Sequence, residues 1–170
     1  VSANLLNSDK EKYFVQPGFI FVSKEPYLLS TVLGSCISVC LWDPTLKFGG
    51  MNHYLHHKPF KKEANARFGS VSIPYMINLM INLGSNKHNL KAHVVGGAQN
   101  SNMGSYLVGK QNIEIAEKIL KKNFIEIVTF DTGGAMGRKV VFDSETGEIV
   151  VYKVNNLREY DWYDDKSFNN

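Results

Sequence analysis

Leu33-Gly34-Ser35-Cys36-Ile37-Ser38-Val39-Cys40-Leu41-Trp42-Asp43-Pro44 is the stretch whose reading decides the fold. Residues 37–42 alternate in a way that places Ile37, Val39 and Leu41 on one face of a strand and Ser38, Cys40 and Trp42 on the other. Asp43-Pro44 ends that strand as a turn. Gly49-Gly50 then opens a second alternation, Met51-Asn52-His53-Tyr54-Leu55, which supplies a hairpin partner and carries His53 on it.

Upstream, Phe14 to Ser23 surrounds a Pro17-Gly18 turn signal and reads as a short strand or two at a sheet edge. Downstream, Ile73, Met76, Ile77, Met80 and Ile81 recur at helical spacing, with Ser72 as N-cap, Pro74 in the first turn and Gly84 at the stop. A second helix is expected from about Lys110 to Lys122, its apolar stripe made by Ile113, Ala116, Ile119 and Leu120. Short strands follow the helices, Ala92 to Val95 ending at Gly96-Gly97 and Phe124 to Phe130 ending at Asp131-Thr132-Gly133-Gly134. Lys139 to Phe142 and Glu148 to Val154 flank Ser144-Glu145-Thr146-Gly147, a hairpin signal. Strands outnumber helices, the two do not alternate strictly, and the terminal hairpin is antiparallel. That excludes a doubly wound parallel sheet and predicts an α/β fold of the α+β kind, with helices layered on mixed sheets.

The chain has 170 residues, 44% hydrophobic, with 14 glycines, 5 prolines and 2 cysteines. This is the composition of a single domain over residues 1–170, with a core at about 14–154 and peripheral segments at 1–12 and 157–170. A chain of this length buries about 70% of its unfolded surface, so it needs neither disulfides nor a structural metal to fold. The formal charge of +3 makes nucleic acid no default partner. In an extended segment Cys36 and Cys40 stand about 13 Å apart at Cα, beyond disulfide reach, so both thiols are expected reduced, as suits the cytoplasm. Residues 68–86 are uncharged yet too rich in asparagine and serine for a membrane span, and residues 1–12 read as a loose lead-in without the pattern of a secretion signal.

Gly34-Ser35-Cys36 sets a thiol where a glycine-containing turn feeds a strand, near a surface and close to free main-chain N–H groups. An ordinary thiol is only a few per cent thiolate at neutral pH, and a neighbouring imidazole improves on that. His53 is the nearest candidate, since the hairpin folds it back toward Cys36. The alternative, that Cys36 is a small buried hydrophobe and His53 an incidental strand residue, stands open on these residues alone. Cys40 suits that second description. A metal site from Asn52, His53, His56 and His57 with Cys36 lacks the paired C-x2-C spacing, and no metal is expected. Gly133-Gly134-Ala135-Met136-Gly137-Arg138-Lys139 is not a P-loop, so Gly96, Gly97, Gly133 and Gly134 are read as tight turns around a shared cleft. Lys61, Lys62, Lys121, Lys122, Arg138 and Lys139 could form a basic surface, and Tyr160, Trp162 and Tyr163 among Asp161, Asp164 and Asp165 could dock a protein.

Thr31-Val-Leu-Gly-Ser-Cys36-Ile-Ser-Val-Cys-Leu-Trp-Asp43 with Gly49-Gly-Met-Asn-His53 resembles the chemoreceptor glutamine deamidase family, CheD. Further stretches match in order: Arg67-Phe-Gly69, Ala92-His-Val-Val-Gly-Gly-Ala98, Gly109-Lys-Gln-Asn112, Gly133-Gly-Ala-Met-Gly-Arg-Lys139 and Thr146-Gly147. The resemblance implies a three-layer sandwich, a helical layer packed on two mixed β-sheets. It implies a cofactor-free hydrolase that turns glutamines of methyl-accepting chemotaxis receptors into glutamates through a cysteine thioester. Cys36 takes the place of the nucleophile, His53 of its base, and Thr31, or Ser30 one residue earlier, of the hydroxyl that orients the ring. Gly34 and Ser35 fall in the turn, where the Ser35 and Cys36 N–H groups would hold the oxyanion, and His53 would keep the thiolate as an ion pair. Implied partners are receptor cytoplasmic helices and a CheC-type phosphatase. Two other readings stay open: a chain that chiefly binds such a phosphatase, and a receptor methylesterase using the same thioester route.

Overall fold

A computed structural model describes residue 5, residues 8–62, 64–99 and 103–155, and residue 157, with backbone alone at 103–106. In chain order the strands are β1 (Glu11–Phe14), β2 (Ile20–Ser23), β3 (Tyr27–Leu33), β4 (Ile37–Asp43) and β5 (Phe48–Asn52), followed by helix α1 (Gly69–Asn82). Then come β6 (Lys91–Gly96), helix α2 (Met103–Lys122), β7 (Glu126–Thr132), β8 (Gly137–Asp143) and β9 (Ile149–Val154). A four-stranded sheet runs β1-β3-β8-β9 and a five-stranded sheet runs β2-β5-β4-β6-β7. Both are mixed: β1 and β3 are parallel, as are β6 and β7, and the other pairs are antiparallel. Among the described residues, helices α1 and α2 layered on two mixed sheets are the architecture the sequence leads one to expect.

The alternation in β4 explains the layering. Ile37, Val39 and Leu41 pack with Ile73, Met76 and Met80 of α1 and Ala116 and Leu120 of α2, forming the core between helices and sheet. Cys40, on the opposite face, packs with Leu29 and Leu33 of β3 and Val140 and Phe142 of β8, forming the core between sheets. Each of these large aliphatic side chains contributes about 1.5–3 kcal/mol by leaving water, so β4 is fixed from both faces.

Several boundaries differ from the sequence reading, for physical reasons. Helix α1 starts at Gly69, not at Ser72, because the carbonyls of His56 and His57 accept the first N–H groups, from Gly69 and Ser70. Those bonds replace a side-chain cap, and Ser72 instead accepts a hydrogen bond from Asn52 Nδ2 at 2.8 Å. Helix α2 begins at Met103 rather than Lys110; Gly109 lies inside it because a Cβ there would stand 2.8 Å from the Gly97 and Ala98 carbonyl oxygens. Strand β1 begins at Glu11, inside the expected lead-in, and β3 escapes the alternation rule because Leu28, Leu29, Val32 and Leu33 are buried on both faces. Tyr160, Trp162, Tyr163 and their acidic neighbours lie outside the described residues.

Candidate active site

The chain crosses from one sheet to the other at Gly34–Cys36, between the end of β3 and the start of β4. The antiparallel ladders bring the end of β5, the end of β6 and the start of β8 to this same edge of the sandwich, and β7, parallel to β6, ends there too. Cys36, His53, Gly96-Gly97 and Gly133-Gly134 are thereby gathered from distant parts of the sequence.

His53 is the first residue after β5, not a member of it, and is fully buried. Its main chain is held on both sides: its N–H donates to the Phe19 carbonyl at 3.0 Å, and its carbonyl accepts from Gly18 N–H at 2.7 Å. The β4–β5 ladder pairs Cys40 with Met51 and resumes at the Ile37–Tyr54 bridge. In that register Ser38 faces His53, and Cys36 and Cys40 are its two diagonal neighbours on the same face. Such neighbours stand about 7–8 Å apart, less at Cβ, within reach of a ring. The Tyr54 phenol, on the opposite face, is pushed up by burial first and by the Cys36 sulfur second.

Across the sheets, Thr31 of β3 points inward and its Oγ1 lies 2.8 Å from His53 Nδ1. The same hydroxyl donates its one hydrogen to the Val15 carbonyl at 2.7 Å. It therefore accepts from Nδ1–H, which assigns the neutral ring its tautomer and leaves Nε2 as the basic nitrogen. Ser30, one residue earlier, faces the other side of β3 beside Lys12, Leu28 and Val141, so the strand alternation separates it from the ring.

Burial favours the neutral form of both Cys36 and His53. It pushes the Cys36 thiol up to about 12, against a smaller opposing effect of its own main-chain N–H. It pushes His53 down to about 4, with the Val15 carbonyl working the other way. Both shifts favour a neutral thiol and a neutral imidazole over a charged pair at neutral pH, because neither charge is well solvated there.

The turn itself is half-buried at Gly34, Ser35 and Cys36, and its three successive carbonyls are all engaged. Gly34 O accepts from Ala98 N–H at 2.8 Å and Cys36 O from Gly97 N–H at 2.8 Å. Ser35 O accepts from Asn112 Nδ2 at 3.0 Å. Gly96 has φ +114°, and a Cβ on it would stand 2.3 Å from the Cys36 carbonyl oxygen, so only glycine fits against the turn. Gly133 N–H donates to Gly96 O at 3.0 Å and Gln99 N–H to Gly134 O at 2.7 Å, which ties the second glycine loop to the first. Arg138 is not part of a basic surface. It is buried, and its guanidinium holds the Gly133 and Met136 carbonyls and pairs with Asp131.

Cys40 is fully buried between the sheets and forms no disulfide with Cys36. His56 is exposed, and no cluster of metal-ligating side chains occurs among the described residues. No helix among the described residues is long and apolar enough to cross a membrane. Asn112 is the residue sequence reasoning missed as part of the site. The available signal was an amide one turn before Ala116, on the buried side of an amphipathic helix.

Fold and site together define a class: an α/β/β sandwich with a thiol on the turn joining its sheets and, on the same strand face, a buried imidazole bonded to a hydroxyl. Comparison with known proteins narrows this. The family described as CheD chemotactic sensory transduction matches residues 55–153. A protein of Anaeromyxobacter dehalogenans named "Probable chemoreceptor glutamine deamidase CheD 1" is 36% identical over 140 residues, covering 81% of this chain and 82% of its own. "Probable chemoreceptor glutamine deamidase CheD" of Sulfurimonas denitrificans is 36% identical over 147 residues, covering 83% and 93%. The protein of that name from Vibrio vulnificus strain CMCP6 is 34% identical over 160 residues, covering 85% and 74%. The chain belongs to the CheD family.

Proposed function

We propose that this protein is a chemoreceptor glutamine deamidase in which Cys36 is the nucleophile, His53 its base and Thr31 the group that orients the base. The observation that carries the reading is the Thr31–His53 hydrogen bond of 2.8 Å, made on the face where the ladder sets two thiols as diagonal neighbours, of which Cys36 is half-buried on the turn and Cys40 is fully buried. Names of relatives supply the substrate class, and the half-buried turn gives a glutamine side chain its approach.

The steps follow from the protonation states. A neutral thiol pushed up to about 12 is a poor nucleophile until its proton leaves, so transfer to His53 Nε2 accompanies attack of sulfur on the carboxamide carbon. The C=O π bond opens and the oxygen takes the negative charge. Planar trans peptides point N–H opposite to C=O, so tying the Gly34 and Ser35 carbonyls inward turns the Ser35 and Cys36 N–H groups outward, toward that oxygen. Such a donor contributes about 3–4 kcal/mol in the transition state. The imidazolium then protonates the nitrogen, the C–N bond breaks and ammonia leaves a thioester. Water gives its proton to the neutral ring and adds to the thioester, and collapse expels sulfur, which recovers its proton as glutamate departs. Every proton is handled by one ring, so the chemistry draws on no cofactor. Receptor helices as substrate, a CheC-type phosphatase as second partner and a cytoplasmic setting belong to this reading.

The test is incubation of purified protein with receptor cytoplasmic fragments and mass spectrometry of their peptides. Each deamidated glutamine gains about one dalton, and Cys36→Ala removes the gain. Unchanged fragments with the wild-type protein, or equal conversion by Cys36→Ala, refute the reading.

A further inference from the structure

Asn112 is fully buried in α2, on the side of the helix that packs against the sheet. Its side chain spends both amide hydrogens on main-chain carbonyls: Nδ2 stands 3.0 Å from Ser35 O and 2.8 Å from Leu55 O. Its own carbonyl accepts from Tyr54 Oη at 2.6 Å. One residue thus touches the turn immediately before Cys36 and the two residues immediately after His53. The Ser35 carbonyl and the Cys36 N–H belong to a single peptide plane and point in opposite directions, so whatever holds the carbonyl sets the aim of the N–H.

We infer that Asn112 is a positioning residue for the reaction, clamping the Ser35–Cys36 peptide plane to the segment after His53 so that the Cys36 N–H faces the site of the developing oxyanion. This rests on the deamidase reading and deepens it. The chemistry explains the choice of side chain. Two carbonyl partners of one nitrogen require two donors on it, which an amide supplies; an aspartate of the same shape would set a carboxylate oxygen in its place, against both carbonyls. A leucine would suit the surrounding apolar packing better, yet would leave the turn's middle carbonyl unheld.

The test compares wild type with Asn112→Asp and Asn112→Ala, and with Leu120→Ala, which opens a cavity in the same helix two turns further on. Two readouts are taken on folded protein: kcat and KM on receptor fragments, and the residual dipolar couplings of the Ser35 and Cys36 amides, which report N–H direction. An oxyanion donor acts only in the transition state, so kcat falls about 10²-fold in both Asn112 variants with KM within about twofold. The Cys36 coupling changes in the same two variants, while Leu120→Ala keeps wild-type kcat and coupling. Folded Asn112 variants with unchanged kcat, or with reduced kcat and an unchanged Cys36 coupling, overturn the inference. Absence of deamidation by the wild type refutes the deamidase reading instead, and a shifted Cys36 coupling in Asn112→Asp still upholds the clamp. If neither variant folds, trans-hydrogen-bond couplings from Asn112 Nδ2 to the Ser35 and Leu55 carbonyl carbons in the wild type decide: both are expected, and loss of either overturns the clamp.

Discussion

Thr31→Val removes one oxygen from the centre of the site and keeps the side chain's shape. The hydroxyl makes two bonds, donating to the Val15 carbonyl at 2.7 Å and meeting His53 Nδ1 at 2.8 Å, and Thr31 is 1% exposed. Without it, a buried carbonyl and a buried ring N–H each lose a partner, and each unsatisfied group costs about 1–3 kcal/mol. The Val15 carbonyl already acts on the ring, so the imidazole can turn toward it and recover part of one bond. The expected loss of stability is therefore about 2 kcal/mol, and kcat falls about 10- to 100-fold because the base is no longer held in its working tautomer. Thr31→Ser, which keeps the hydroxyl, restores most of both. Ser30→Ala, on the far side of β3, changes stability by less than about 0.5 kcal/mol. Urea unfolding and fragment deamidation, measured on the same preparations, provide the assay. A Thr31→Val protein with wild-type stability and rate, or a Ser30→Ala protein that fails while Thr31→Val works, refutes the reasoning.

Further outcomes can be stated briefly. Because His53 titrates near 6.5 when unfolded and at about 4 when folded, the unfolded chain binds the extra proton between those values, so stability present above pH 6.5 is lost as pH falls toward 4, by about 3 kcal/mol. Buried His93 is shifted in the same direction and adds to the slope. Urea midpoints taken down to pH 4.5 should fall, and less steeply in His53→Gln; a flat profile for the wild type contradicts the burial of a neutral ring. Cys40→Ala should lose about 1–2 kcal/mol from the core between the sheets while keeping activity within about threefold, and its inactivation would exchange the roles of the two thiols. Gly96→Ala should be inactive and strongly destabilised, since a Cβ there would stand 2.3 Å from the Cys36 oxygen; Gly134→Ala, with nothing within 4 Å, should lose only about 1–2 kcal/mol to its positive φ. Equal thermal shifts for the two would argue against a turn wedged on Gly96.

How much of this was legible in the sequence depended on whether local pattern or long-range pairing fixed a residue. Strand β4 could be read because its two faces serve two different cores, and the β8–β9 hairpin because Gly147 marks the turn with φ +75°. Helix α1 hid its start because its cap is a pair of main-chain carbonyls from residues 56 and 57, and no side chain announces such a cap. Strand β3 was silent because it is buried on both faces, so its residues do not alternate. Turn chemistry and hairpin spacing made Cys36 and His53 candidates, and only the resemblance to the CheD family set them apart from an ordinary buried thiol and a strand histidine. The choice between Thr31 and Ser30 could not be made this way, since it depends on which side of β3 faces the second sheet. Asn112 stood out as the end of the Gly109-Lys-Gln-Asn112 stretch and as an amide in an apolar stripe, but neither gave it a role, since its two partners lie 77 and 57 positions away in the chain.

The central claim is a covalent bond between Cys36 sulfur and the glutamine carbonyl carbon, and trapping that bond tests it most directly. Hydroxylamine added during turnover competes with water for a thioester and leaves a glutamyl hydroxamate about 16 daltons heavier than glutamine on the receptor fragment. The account predicts that product at the deamidated positions with wild type and with Cys40→Ala, and none with Cys36→Ala. Hydroxamate formed by Cys36→Ala, or deamidation by the wild type that never yields hydroxamate, would contradict it.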